Sequence, residues 1–407
     1  MTQPGSGDCQ PVTQPGSGDA RPTLSLVSSA SSQTASLFPA FAVGSLAPLM
    51  GEDLSFGAVG LGSAVAFFFL LAAVTSPHAG TLADRLGPQR SLRTANILCG
   101  AALLLVATVA RSYWVLLVAL AIGAIGLAIA GPGCSTMVAQ GVPARRHGAG
   151  FGVLAAAAPL SVVLAGLAVP TIGLTLGWRW AFGIAIALPL AGFVLAPAYG
   201  TRSGPDVKTA GAARGLSEID YGPLNLIGLA AGLGSAATTS MAAFFVSAAI
   251  DAGLQEGRAG NLLAIASSAP VATRIAAGYL ADRFESGHLR IVSLLLGAST
   301  AGYVAAATGS TVLVPLGAIF ALGVGWGWSG LMLHSVIRAY RDSPGAASGM
   351  TFGGLNVGGV VGPFAFGLLV EQVSFAAGFL AMAGCALLAA VAIDVSRRRL
   401  IRAGATP

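Results

Sequence analysis

The sequence predicts an all-α membrane protein of twelve transmembrane helices in two pseudo-symmetric bundles of six. Three observations predict it. Hydrophobic residues make up 55% of the chain and charged residues only 9%, and apolar stretches of about 20 residues, enough to cross a bilayer as helix, recur from end to end. The pattern Gly-x-Leu-Ala-Asp-Arg occurs twice, at 80–85 and 278–283, each time where a long apolar run gives way to charge. Strand-type alternation is absent, and backbone amides cannot stay unpaired in hydrocarbon, which leaves the helix as the spanning form.

Residues 1–21 contain a direct duplication, 2–8 repeated as 13–19, built from Gly, Pro, Ser and Asp with little to bury, and are expected to form a disordered cytosolic tail. Asp8 and Asp19, and the lack of a basic segment feeding a short apolar core, argue against a cleaved signal peptide. The N-terminal bundle, 22–200, has predicted spans at 23–48, 55–79, 91–110, 114–139, 149–171 and 180–199. A polar stretch, 201–220, holds Arg202, Asp206, Lys208 and Arg214 among Gly, Pro and Ser and serves as the cytosolic linker. The C-terminal bundle, 221–398, repeats the layout with spans at 223–249, 258–281, 290–308, 311–337, 346–370 and 374–394, followed by a cytosolic tail at 399–407.

Orientation follows from the cations. With both termini inside, the cytoplasmic side collects the groups at 85–93, 145–146, 202–214, 338–341 and 397–402, whereas the outer side has only Arg111, Arg179 and Arg258. The formal charge of +6 therefore reports membrane orientation. No basic patch is interleaved with aromatics, so no nucleic-acid partner is expected. The expected location is the cell membrane, with the lipid bilayer as surroundings and a monomer as the working unit.

The four cysteines, Cys9, Cys99, Cys134 and Cys385, lie far apart with no Cys-x-x-Cys, and are read as inert thiols. Among His78, His147, His288 and His334 no Ser/His/Asp, metal-ligand or phosphate-loop spacing can be assembled. Neither an enzyme nor a cofactor or metal is expected.

The doubled motif, the six-plus-six spans and the polar central loop resemble the major facilitator superfamily over most of the chain. Further echoes keep the same offset: Gly148 to Gly152 after Arg145-Arg146 answers Ala346 to Gly349 after Arg341. The resemblance implies alternating access, two bundles rocking about a central site. It also implies gating roles for Gly80, Asp84, Arg85, Arg90, Gly278, Asp282 and Arg283. The two glycines let backbones approach, and the two aspartates place a carboxylate at the positive N-terminal end of a helix from the other bundle. One departure stands out: Gly87 is followed by Pro88-Gln89, where the family usually carries basic residues.

No acid lies near mid-membrane, and the fourth span has no charge. The embedded carboxylate typical of exporters of cationic drugs is thus missing. Arg274 is the exception in the charge census. It stands eight residues before Asp282, about 12 Å up a helix from the cytosolic end, where an Arg costs about 2.5–3.5 kcal/mol to insert and so faces a wet cavity or a partner. With no buried acid as counter-ion, an anionic small-molecule substrate is the natural partner. The segment around Arg274, with Gly325 to Gly330, resembles anion-handling facilitators, closest to the cyanate/nitroimidazole-type branch; a structural role for Arg274 is the competing reading. The equivalent position in the first half is Ser76, so the paired arginines of nitrate carriers are absent.

Glycine-interrupted fourth and tenth spans point to a site between the halves. Gln33 in a polar first span, Asn356 in the eleventh and His334 in the tenth complete the candidate binding set, His334 as a proton carrier. Helix–helix hydrogen bonding is the plainer role for Gln33, Asn356 and the first-span serines. The expected function is a secondary active transporter of a small organic anion or weak acid, coupled to proton symport or to exchange for a counter-substrate. An efflux pump for a drug or natural product is the alternative.

Overall fold

The apolar runs become helices because only a helix pairs every backbone amide within its own segment. The computed structural model describes residues 22–198, 221–281, 289–340 and 344–402, and no strand occurs among them. The first half comprises α1 (Pro22–Ser45), α2 (Ala47–Leu54), α3 (Ala58–Thr108), α4 (Tyr113–Gly141), α5 (His147–Ala168), α6 (Trp178–Ala185) and α7 (Ala187–Leu195). The second comprises α8 (Tyr221–Asp251), α9 (Glu256–Ala281), α10 (Leu289–Ala306), α11 (Leu313–Gly323), α12 (Trp328–Ala339), α13 (Pro344–Gln372) and α14 (Phe375–Arg402). Among the described residues, nine helical runs are long and apolar enough to cross a membrane, or ten when α1 and α2, bent by 75°, are taken as one.

Two boundaries differ from expectation. The charged turn expected after residue 79 is itself helical, and the chain reverses at one residue within α3, Gly87, with φ 75° and ψ 167°. Only glycine adopts that conformation without strain. Pro88 then opens the second rod, where a missing N–H costs little, and Gln89 Nε2 donates to the Ala196 carbonyl at 3.0 Å, tying the reversal to the end of α7. At the C-terminus, α14 continues into the expected tail as far as Arg402. Asp394 pairs there with Arg397 and Arg398 one turn on, and the cations suit the negative end of the helix.

The helices alternate in direction. One end of the molecule carries Arg85, Arg90, Arg145 and Arg397 and is called here the arginine-rich end; the other carries Asp53, Arg179 and Glu371. Small residues bring the halves together, as packing in hydrocarbon requires. A Cβ on Gly278 of α9 would strike the Gly148 carbonyl and stand 2.8 Å from the Gly152 Cα of α5. Nearer the arginine-poor end, a Cβ on Gly62 of α3 would strike the Pro363 carbonyl of α13, and one on Gly44 of α1 would stand 2.7 Å from the Ala243 Cα of α8. Large apolar side chains such as Trp114 and Leu294 remain exposed on the outside, 74% and 63% accessible, as on a surface facing lipid.

Candidate functional site

Arg274 lies on α9 one turn before Gly278. A helical side chain leans toward its own N-terminus, and the close α5–α9 contact carries the guanidinium across to the first half. Nη1 donates to the Ala155 carbonyl of α5 at 2.7 Å. Nη2 donates to the Trp326 carbonyl at 3.0 Å and to Ser329 Oγ at 2.8 Å. Both carbonyls are spare for a reason visible in the chain. The amide that would bond Ala155 in α5 belongs to position 159, which is Pro159 and has no N–H. Trp326 precedes Gly327, the N-cap of α12, so its carbonyl falls outside that helix's ladder.

Electrostatically the site is one-sided. The Arg274 side chain is 7% exposed, and its Nε is buried without a hydrogen-bond partner. Its acceptors are two carbonyls and a hydroxyl, and no described carboxylate lies within ion-pairing distance. The guanidinium carbon sits 5.5 Å from the Trp326 ring centroid, within cation–π range. Among the described residues the buried positive charge is met by neutral dipoles alone, and its Nε–H has no partner.

Toward the arginine-poor end the space above Arg274 is closed by aromatics. Phe41 of α1 meets Trp326 edge-on at 6.0 Å and Phe69 of α3 at 6.3 Å. Phe69 lies over Gly359 of α13, 3.3 Å from where a Cβ would stand. Beyond them, Glu371 Oε2 of α13 accepts the Val59 N–H of α3 at 3.0 Å. Toward the arginine-rich end α5 and α9 stay in contact at Gly278, while Gly80, Gly131, Gly330, Gly349 and Gly353 each have no described atom within 4 Å of a would-be Cβ.

The sequence candidates separate accordingly. Gln33 is half-buried with Oε1 unpartnered, and Asn356 is half-buried; neither hydrogen-bonds Arg274. His334 lies on α12 with its side chain outside the described residues, as are Asp282 and Arg283. Asp84, Arg85 and Arg90 are exposed, and Asp84 has no hydrogen-bond or ion-pair partner among the described residues. Of the two motif glycines, Gly278 makes the close approach and Gly80 faces open space. The first-span serines bond between helices: Ser28 to the Gly192 carbonyl at 3.1 Å, and Ser32 with Asn96 at 2.8 Å. Cys99 and Cys134 are buried free thiols and Cys385 is half-buried.

Ala155, Phe41, Phe69, Asn96 and Glu371 escaped the sequence reading. A signal existed for two of them: Pro159 marks Ala155 as a spare acceptor, and Glu371 is an acid in the last turn of its own helix, where the dipole disfavours it.

Residues 30–351 match the family model described as Major Facilitator Superfamily. No curated protein matches.

Proposed function

The chain belongs to the Major Facilitator Superfamily, a family of membrane transporters, and from that premise we propose that it moves a small organic anion or weak acid by alternating access, with Arg274 as the charge anchor. The helices support a count of twelve crossings: α3 is two rods parted at Gly87, α1 and α2 form one bent span, and α9 adds a span that carries Arg274. The distribution of arginine favours a cytoplasmic position for the arginine-rich end in a cell membrane, and the open space at Gly80, Gly349 and Gly353 supports reading this conformation as open inward. Asp84, with no partner among the described residues, can meet the other half when that end closes, and Gly80 leaves room for the approach. Gln33 and Asn356 are the polar candidates for reading the rest of the substrate, and proton coupling falls to the substrate or His334.

One observation carries the proposal: a guanidinium buried between the halves whose only partners among the described residues are neutral and whose Nε–H has none there. The test is uptake of a panel of small anions into proteoliposomes under an imposed pH gradient, comparing wild type with Arg274→Ala and Arg274→Lys. We expect Arg274→Ala to lose transport, and Arg274→Lys to retain a fraction, since a point charge replaces the fork. Undiminished transport of every carried anion by both variants overturns the anion reading, and undiminished export of bulky neutral compounds supports the efflux alternative.

A further inference from the structure

The contact between Glu371 and Val59 does more than close a seam. Val59 is the second residue of α3, so its N–H is one of the first-turn donors that no helical carbonyl reaches. Gly57, the N-cap, has no side chain to cap it, and the first turn of α3 contains no acid. Glu371 supplies both the acceptor and the negative charge from the other half of the molecule, its Oε2 at 3.0 Å from the Val59 nitrogen and 3.4 Å from where a Cβ on Gly57 would stand. Glu371 gains too. It sits in the last turn of α13, which ends at Gln372, where it repels its own helix's negative end; the N-terminus of α3 relieves that repulsion.

Asp84 is in the same predicament at the opposite end. It lies in the last turn of the first rod of α3, before the break at Gly87, and the first turn of α13 holds no acid. The two helices are thus antiparallel partners, each ending in a carboxylate and each beginning with a first turn that holds no acid. In this structure the Glu371 end is engaged, and Asp84 is exposed with no partner among the described residues.

We propose that Glu371 is the latch of the arginine-poor gate, capping α3 from across the interface, and that it alternates with Asp84, so that each state of the transporter satisfies one carboxylate and frees the other. The proposal rests on the alternating-access reading above. When the arginine-poor end opens, α3 loses its cap there and Asp84 gains one at the arginine-rich end, which keeps the two states close in free energy. A single carboxylate on a helix N-terminus has the modest strength such an equilibrium needs.

The experiment is pulsed electron-spin distance measurement in lipid nanodiscs. One label pair, at Ser55→Cys and Ser374→Cys, reports the arginine-poor end; a second, at Thr81→Cys and Gly349→Cys, reports the other. A sample without introduced cysteines controls for the native thiols. Glu371→Ala and Glu371→Gln, the latter isosteric and uncharged, are expected to raise the ratio of long to short distances across the arginine-poor pair roughly two- to tenfold, with a matching shortening across the second pair. Asp84→Asn is expected to shift both pairs the opposite way. Distributions unchanged by either Glu371 variant, in a wild-type protein that does show two populations, overturn the latch and leave alternating access standing. A wild type with one population at both ends under every substrate and pH condition overturns both.

Discussion

The Arg274 guanidinium donates to the Ala155 carbonyl at 2.7 Å because Pro159 cannot. One missing amide in α5 therefore ties the two halves of the protein together at the level of its buried charge. The same group grips the carbonyl at the break between α11 and α12, so three elements that meet in the middle of the molecule share one side chain. An anion that binds Nε adds a fourth partner and changes what holds the halves, which is how occupancy can be felt by the gates.

Pro159→Ala tests that tie. Restoring the amide gives the Ala155 carbonyl a helical donor and strengthens α5, while Arg274 loses its bond to the first half. We expect thermal stability equal to or above wild type with initial uptake reduced severalfold. A variant less stable than wild type with unchanged transport contradicts this.

The two motif glycines should respond oppositely to the same change. Gly278→Ala pushes a methyl into the Gly148 carbonyl and Gly152, an overpacked contact costing about 1–3 kcal/mol and visible as a lower midpoint of thermal unfolding. Gly80→Ala meets nothing and replaces a glycine inside a helix, a gain of about 0.5–1 kcal/mol. Its transport should nevertheless fall if Gly80 approaches the other half in the second state.

Phe41 separates Phe69 from Trp326 and is 2% exposed. Phe41→Ala should cost about 3–5 kcal/mol if the site does not collapse, measured by thermal unfolding. It should also let a membrane-impermeant thiol reagent added at the arginine-poor end reach a cysteine placed at Ser329, which the Phe41, Phe69 and Trp326 rings cover from that end in the parent.

Acid should loosen the arginine-poor tip. Asp53 accepts the Trp178 indole N–H at 2.8 Å and pairs with Arg179 at 3.1 Å. The Trp178 bond is the largest influence and holds its carboxyl below the usual 3.8; burial opposes it as the next largest, and the Arg179 bond and charge add smaller lowering effects. A depressed folded value means the contribution is fully present above the ordinary carboxylate range and disappears as pH falls through the folded value. The difference in unfolding temperature between wild type and Asp53→Asn should therefore be constant above about pH 5 and shrink toward zero below about pH 4. A difference that does not begin to shrink as pH falls below about 4 contradicts this.

Much of the molecule was readable before folding. Hydropathy and length dictate helices because hydrocarbon leaves the backbone no other partner, and the doubled motif declared two halves. Arg274 stood out because a charge inside an apolar run is costly enough to need a reason. Nearest-neighbour chemistry also marked spare groups, such as the Ala155 carbonyl ahead of Pro159, although seeing what fills it required the second half of the chain.

What folding alone decided were relations between elements distant in the sequence, the Ala155–Arg274 and Val59–Glu371 contacts across the two halves among them: which carbonyls meet the guanidinium, which rings pack beside it, and that Glu371 caps α3 while Asp84 has no partner among the described residues. These depend on how two bundles lean against each other. In a bilayer that lean is governed by close packing of small residues and a few weak polar contacts, all of comparable strength, and no local pattern in the chain ranks one arrangement above the other.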